Sequence, residues 1–235
     1  MWMMRYLRYI KELPILPIFV AAFILIVAIF APIFAPFDPI QGELDDRNVA
    51  PMWTDEADGT QDYLMGTDHI GRDVLSRLIY GARISLLVAG VVLVAGAGIG
   101  TILGVISGYF GGVVDEFIMR VVDFVFALPF IVVALVASVV WGPSLELVII
   151  LLVLFTWAGF ARQVRAETLQ LKTTDYVALA KISGASTTRI IIKHIFPGVI
   201  NTVMVLSSLQ VGNLVLAESV LSFLGSSPSS CWLLP

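Results

Sequence analysis

One cysteine, Cys231, and two histidines, His69 and His194, are the only thiol and imidazole ligands in 235 residues. A lone cysteine excludes an internal disulfide and a cysteine-based metal cluster within the chain. Cys231 reads as an incidental residue of the tail. Charge is scarce too, at 14% of residues, where soluble domains carry about a quarter. The sequence has no Walker lysine motif, no His-Glu-x-x-His and no nucleophile elbow. It therefore offers no catalytic constellation, no metal-binding motif and no visible means of hydrolysing ATP. What is abundant is apolar: 58% of residues are hydrophobic, and the mean hydropathy is +0.94. That combination predicts an all-α, polytopic transmembrane helix bundle with the lipid bilayer as its solvent. Nothing in it points to nucleic acid. The net charge of −4 says less than where the charges lie.

A helix needs about 20 apolar residues to cross the hydrocarbon core. Five segments meet or approach this: 13–35, 84–108, 117–141, 145–161 and 199–217. The apolar run 13–35 is longer than a signal-peptide core and ends without a small-x-small cleavage site, so it reads as a retained first span. Arg5, Arg8 and Lys11 precede it. Six further bases, Arg162, Arg165, Lys172, Lys181, Arg189 and Lys193, lie between the fourth and fifth spans. Basic loops stay inside, so both groups are expected in the cytoplasm, N-terminus included. The loop 37–83, with ten acids against four bases, is then external. The expected organisation is a cytoplasmic N-terminus and first span (1–36), an external loop (37–83), a bundle core (84–225) with a cytoplasmic loop at 162–198, and a tail (226–235).

Several polar or small residues carry two readings each. Residues 37–65 lack an apolar period and predict an irregular loop. Asp55, Glu56, Asp58 and Asp62 in it are either a metal site or, more simply, solvated acids. Residues 70–83 predict an amphipathic surface helix. Val74, Leu75, Leu78 and Ile79 would face lipid or protein, and Arg72, Asp73 and Arg77 would face water. Gly96, Gly100, Gly104 and Gly108, with Gly112 beyond, recur every four residues on one helix face. That stripe predicts close helix packing rather than nucleotide binding, since no strand precedes Gly96. Pro129 should kink the third span. Asp123 in that span is either functional or an anchor paired with Arg120. Glu146 is either a first-turn carboxylate stabilised by the helix dipole or a substrate-binding group. Asn201, Gln210, Asn213 and Glu218 do not all share one face; Gln210 and Asn213, three apart, either line a polar track or bond between helices.

The stretch Asp175–Pro197, DYVALAKISGASTTRIIIKHIFP, is neither uniformly apolar nor loop-like. Thr174 or Asp175 can cap a helix whose apolar face is Val177, Ala180 and Ile182. Gly184 can end it in a left-handed turn, which a side chain there should deform. Ser186 can cap a second helix through Ile190, Ile191 and Ile195, which Pro197 should stop. The stretch resembles the cytoplasmic coupling loop of bacterial ABC importer permeases. The family pattern is Glu-Ala-Ala, three residues, Gly, nine residues, then Ile-x-Leu-Pro. Here the frame is Ala178-Leu179-Ala180, Gly184, then His194-Ile195-Phe196-Pro197. The Ala180, Gly184 and Pro197 spacing is kept, while the Glu, the middle Ala, the Ile and the Leu are replaced. Gly66–Ser85 (GTDHIGRDVLSRLIYGARIS) and Glu218–Gly225 (ESVLSFLG) resemble the C-type permeases for dipeptides, oligopeptides and nickel.

The resemblance implies the type I importer permease fold and a bacterial or archaeal cell membrane. It implies three kinds of partner: a second homologous permease subunit, two cytoplasmic ABC ATPase subunits that carry ATP and Mg, and an extracytoplasmic solute-binding protein. It assigns ATPase coupling to Asp175, Tyr176, Ala178, Ala180, Gly184, Ala185, His194 and Pro197. Asp123, Gln210, Asn213 and Glu218 are candidates for the translocation path. Permeases of this family continue to a sixth span, whereas this sequence runs from Gly225 into SSPSSCWLLP. A truncated remnant is therefore one alternative expectation. An ion-coupled secondary carrier using Asp123 and Glu218 is another.

Overall fold

The computed structural model describes residues 15–54 and 63–223. Arg5, Arg8, Lys11, Asp55, Glu56, Asp58, Asp62, Cys231 and the tail lie outside the described residues. Among the described residues there are helices and loops, and the one extended pairing is a single bridge between Thr67 and Asp73. The chain divides into two compact units, one through Leu86 and the other from Leu87.

In the first unit the apolar run forms α1 (Ile15–Ile29) and a short α2 (Ala31–Phe34) with Pro32 in its first turn. A 3-10 turn, Leu44–Asp46, follows. The irregular loop is then held by side chains, because it has no sheet to absorb its backbone groups. Thr67 accepts from Val49 N (2.9 Å) and donates to the Asp46 carbonyl. Asp68 accepts from the amides of Ile70 (2.9 Å) and Arg72 (3.0 Å), and pairs with the guanidinium groups of Arg72 and Arg77. α3 (Val74–Phe110) starts here. The predicted surface helix at 70–83 is instead the first part of this long helix. Asp73 does not face water: it is buried and accepts from Ser76 N at 2.8 Å, capping the helix start. Ser76 in turn accepts from Phe37 N at 3.1 Å.

The second unit holds the rest of α3, then α4 (Gly112–Ala127), α5 (Phe130–Trp141), α6 (Leu145–Lys172), α7 (Asp175–Ile182) and α8 (Thr187–Phe223). α3, α6 and α8 are each long and apolar enough to cross a membrane. α4 and α5 qualify together but bend by 80° at Leu128-Pro129. The expected kink is thus a break, since proline removes a hydrogen bond and its ring clashes with the previous turn. α1 is shorter than a span among the described residues. The expected fourth and fifth spans are longer than their apolar runs, because helix propagates past the hydrocarbon through Arg162, Arg165 and Glu167, and backwards from Val199 to Thr187.

The glycine stripe sets the packing of α3 on α6. A methyl group at Gly100 would stand 2.4 Å from the Trp157 carbonyl oxygen, and one at Gly104 2.7 Å from that of Ala161. At Gly96 it would meet Thr156 at 2.8 Å, and at Gly108 Thr168 at 2.7 Å. Backbone lies on backbone only because these four positions lack a side chain. Gly98, on another face, meets nothing within 4 Å. α4 closes the other side of α6, with Val122 and Val125 buried against Ala158 and Ala161. At the N-terminal end of α6, Ser144 caps by accepting from Leu147 N at 3.1 Å, and Glu146 occupies the first turn as expected.

Candidate functional site

α7 is a two-turn helix on the short connection between α6 and α8. Thr174 precedes it in extended conformation, but its hydroxyl donates back to the Leu171 carbonyl (2.6 Å) and makes no cap bond. The carboxylate of the first turn is Asp175, which the helix dipole favours.

One face of α7 is inward. Val177 is fully buried in a cluster with Val105, Tyr109, Val164, Ile190, Ile195 and Val199, and Ala180 and Ala185 pack against that cluster. Burying a side chain of this size is worth about 1.5–3 kcal/mol. Ile182 does not join it. At about 3.6 residues per turn, Val177 and Ala180 share a face and Ile182 points away. Ile182 is 84% exposed, Leu179 63% and Tyr176 44%, so α7 presents apolar side chains outward as well, beside the exposed Asp175 and Lys181. Asp175, Ala178 and Gly184 are exposed, Ala180 and Ala185 half-buried.

The turn after α7 explains three residues of the motif together. Gly184 has φ +78°. Its N–H donates to Lys181 O, and the Ala185 N–H donates to Ala180 O, both at 3.0 Å. These two bonds with a left-handed residue between them form a Schellman motif, and Ala180 and Ala185 supply its usual apolar contact. A methyl group at Gly184 would meet nothing within 4 Å. The constraint is therefore the backbone angle and not space, and a side chain would deform the turn through that angle. Ser186 caps the next helix by accepting from Arg189 N.

Pro197 does not stop that helix. The chain widens into a π turn at Ile191–Ile195, where Phe196 N–H donates to Ile191 O, and α8 continues through Pro197. A wide turn just before the proline absorbs its missing N–H and the clash of its ring. Pro197 is exposed, and the half-buried His194 ring lies 6.1 Å from Tyr176.

Polar bonds lock this end of the unit to the long helices. The Lys172 ammonium donates to the Tyr109 carbonyl at 2.6 Å, and the ammonium groups of Lys172 and Lys181 each sit 5.7 Å from the Tyr109 ring centre. Asp115 on α4 accepts from two Arg165 nitrogens of α6, Nε and Nη2, the latter at 2.6 Å, and from the Ser107 hydroxyl of α3. A two-pronged guanidinium–carboxylate pair fixes orientation as well as distance. Sequence reasoning missed this junction: Asp115 and Arg165 are fifty residues apart and belong to no local motif.

The proposed path residues are not assembled. Asp123 on α4 pairs with Arg162 on α6 at 2.6 Å, not with Arg120, which pairs with Glu116. The Arg162 guanidinium also lies over the Phe126 ring. Gln210 and Asn213 contact one another at 3.5 Å along α8, and Glu218 is buried two turns further on the same helix.

Residues 100–233 match the family of binding-protein-dependent transport system inner membrane components. The dipeptide transport system permease protein DppC of Bacillus subtilis is 35% identical over 94% of this chain and 68% of its own length. The chain belongs to this family. The oligopeptide transport system permease protein OppC of Bacillus subtilis is 33% identical over 99% of this chain and 75% of its own length. The glutathione transport system permease protein GsiD of Escherichia coli is 36% identical over 86% and 64%. Among the described residues, α7 is a short helix set between the membrane-length α6 and α8 and packed against both.

Proposed function

We propose that the chain is the membrane-spanning permease subunit of an ATP-driven importer of peptides. ATP and Mg are bound by two partner ATPase subunits, and the pore is completed by a second permease. An extracytoplasmic binding protein delivers the solute. The peptide class rests on the dipeptide, oligopeptide and glutathione systems named for the relatives. The mechanism rests on one geometric observation: α7 is rigid inward and apolar outward. Val177, the Schellman turn and the Tyr109–Lys172–Lys181 contacts fix it to α3, α6 and α8. Tyr176, Leu179 and Ile182 face away, and that face is the ATPase contact. Closure of the ATPases then moves α7 as a solid piece, and the long helices follow. The N-terminus and α7 are cytoplasmic in this reading, and the loop of the first unit is external.

The test is affinity purification of the tagged chain from detergent-solubilised membranes, followed by mass spectrometry. Recovery of two ATPases and a second permease is the expected result. Recovery of neither, together with uptake that survives ATP depletion but collapses with the ion gradient, sinks this reading in favour of a secondary carrier.

A further inference from the structure

α4 presents three faces. Val122 and Val125 are buried against α6. At about 3.6 residues per turn, Glu116, Arg120, Asp123 and Ala127 form a second strip, and all four are exposed. Val113, Phe117, Val121 and Phe124 form a third strip beside it, exposed as well. The charged strip is bonded along its length. Arg120 donates to Glu116 at 3.0 Å, and Arg162 reaches across from α6 to Asp123 at 2.6 Å. Even in their ion pair the Asp123 side chain is 68% exposed and that of Arg162 49%. The two exposed strips run along the same turns, so they lie at the same depth. Charged side chains are costly against hydrocarbon, and a row of large apolar side chains is costly against water. No single solvent suits both. α4 therefore stands at a boundary, with lipid or protein on one side and water on the other. The charged strip starts beside Asp115 and Arg165, at the end of the unit that carries α7. Arg162 follows directly on the apolar run 145–161, and Ala127 leads into the break before α5.

We propose that the Glu116–Arg120–Asp123 strip, completed by Arg162, is a wall of the water-filled translocation path, and that this wall fits a solute carrying both an ammonium and a carboxylate. The inference rests on the importer reading above. Glu116, Arg120, Asp123 and Arg162 alternate in sign and sum to zero, so a hydrated solute of either sign meets no net repulsive field. Both ion pairs are exposed, and exposed pairs are weak. Each group can exchange its partner for a passing ammonium or carboxylate without leaving a charge buried. The Arg162 guanidinium lies 4.5 Å from the Phe126 ring centre, which helps to hold it beside Asp123. The half-buried Asp115–Arg165 pair, tied to Ser107 as well, serves the fold and not the path.

The experiment places single cysteines in the full transporter complex, in a Cys231→Ser background, and follows their modification in inside-out membrane vesicles. The probes are two membrane-impermeant methanethiosulfonates, one with a sulfonate and one with a trimethylammonium head. Arg120→Cys and Ala127→Cys report the charged strip, and Phe117→Cys and Phe124→Cys report the apolar strip within a turn of each. All four positions are exposed, so the fold should tolerate the changes. The thiolate is the reacting form, and apolar surroundings raise a thiol's pKa. The charged-strip cysteines should therefore react about tenfold or more faster than the apolar-strip ones, the effect of about one pKa unit. Both reagents should modify Ala127→Cys at rates within about threefold of one another, as a wall of zero net charge requires. ATP with vanadate, which holds the ATPases closed, should slow Ala127→Cys and leave Phe124→Cys unchanged. Equal or reversed rates on the two strips overturn the proposal. So does exclusion of either reagent from Ala127→Cys, and so does an Ala127→Cys rate indifferent to ATPase closure in a complex that takes up alanylalanine. ATP-driven uptake of alanylalanine by the parent complex in proteoliposomes is read separately. Its failure counts against the importer reading, while the contrast between the strips still judges the wall.

Discussion

Single residues carry unequal weight here, and the reason is what surrounds each. Gly98 and Gly100 are two positions apart in one helix, yet a methyl group meets nothing at the first and a carbonyl oxygen at 2.4 Å at the second. Gly100→Ala should force α3 and α6 apart and cost about 1–3 kcal/mol, as overpacking does. Gly98→Ala should be neutral or stabilising by up to about 1 kcal/mol, from helix propensity. Denaturation midpoints of the two variants in the same detergent check this; equal effects would mean the stripe is not the contact. Asp68 is the polar counterpart. Burial alone would raise its pKa, but the amides of Arg72 and Ile70 and the Arg72 guanidinium win and hold it at about 2. A carboxyl depressed in the fold contributes stability above its unfolded value, about 3.9, and loses it as pH falls towards the folded one. The stability difference between the unmodified chain and Asp68→Asn should therefore be constant above pH ~4 and shrink towards pH ~2. A difference that grows on acidification contradicts the assignment.

At the scale of elements, α7 and its turn form a unit with a stated weak point. The Gly184 backbone is left-handed with open space around it, so substitutions should rank by tolerance of positive φ and not by size. Gly184→Asn should cost little and Gly184→Val about 1–2 kcal/mol or more. Uptake by the reconstituted transporter should follow that order, with membrane insertion unchanged in both. Val ranking level with Asn would remove the turn from the mechanism. Much of this element was legible in the sequence. Ser186 as a cap, Gly184 as the terminator and Val177 inward are each dictated by local chemistry. Two readings failed for reasons beyond local chemistry. Pro197 signals a stop in isolation, but the π turn before it lets α8 pass. Ile182 reads as core by its character, but five residues from Val177 it falls on the far side of the helix. Asp115–Arg165 was illegible because the pair exists only once three helices meet.

For the molecule as a whole, composition fixed the class and the basic loop fixed where to look, yet the proposed coupling rests on two faces of one helix that composition cannot separate. Leu179 and Ile182 are as apolar as Val177, and only the fold shows that they are outside. This separation allows docking and force transmission to be tested apart. Leu179→Ser with Ile182→Ser alters only exposed positions, so the permease should fold and insert unchanged. If that face is the ATPase contact, losing two apolar anchors at about 1–2 kcal/mol each should weaken association at least tenfold. Val177→Ala leaves the outer face intact but opens a cavity beneath α7, at about 1–3 kcal/mol by comparison with larger core deletions. ATPase subunits should then still co-purify, while uptake per ATP hydrolysed falls, because the helix shifts in its seat before the long helices move. The two variants thus predict opposite patterns in a co-purification assay and a coupled uptake–hydrolysis assay on the reconstituted complex. Loss of association by Val177→Ala at unchanged stability, or normal association by the double variant, would show that α7 is not a rigid lever with an apolar outer contact.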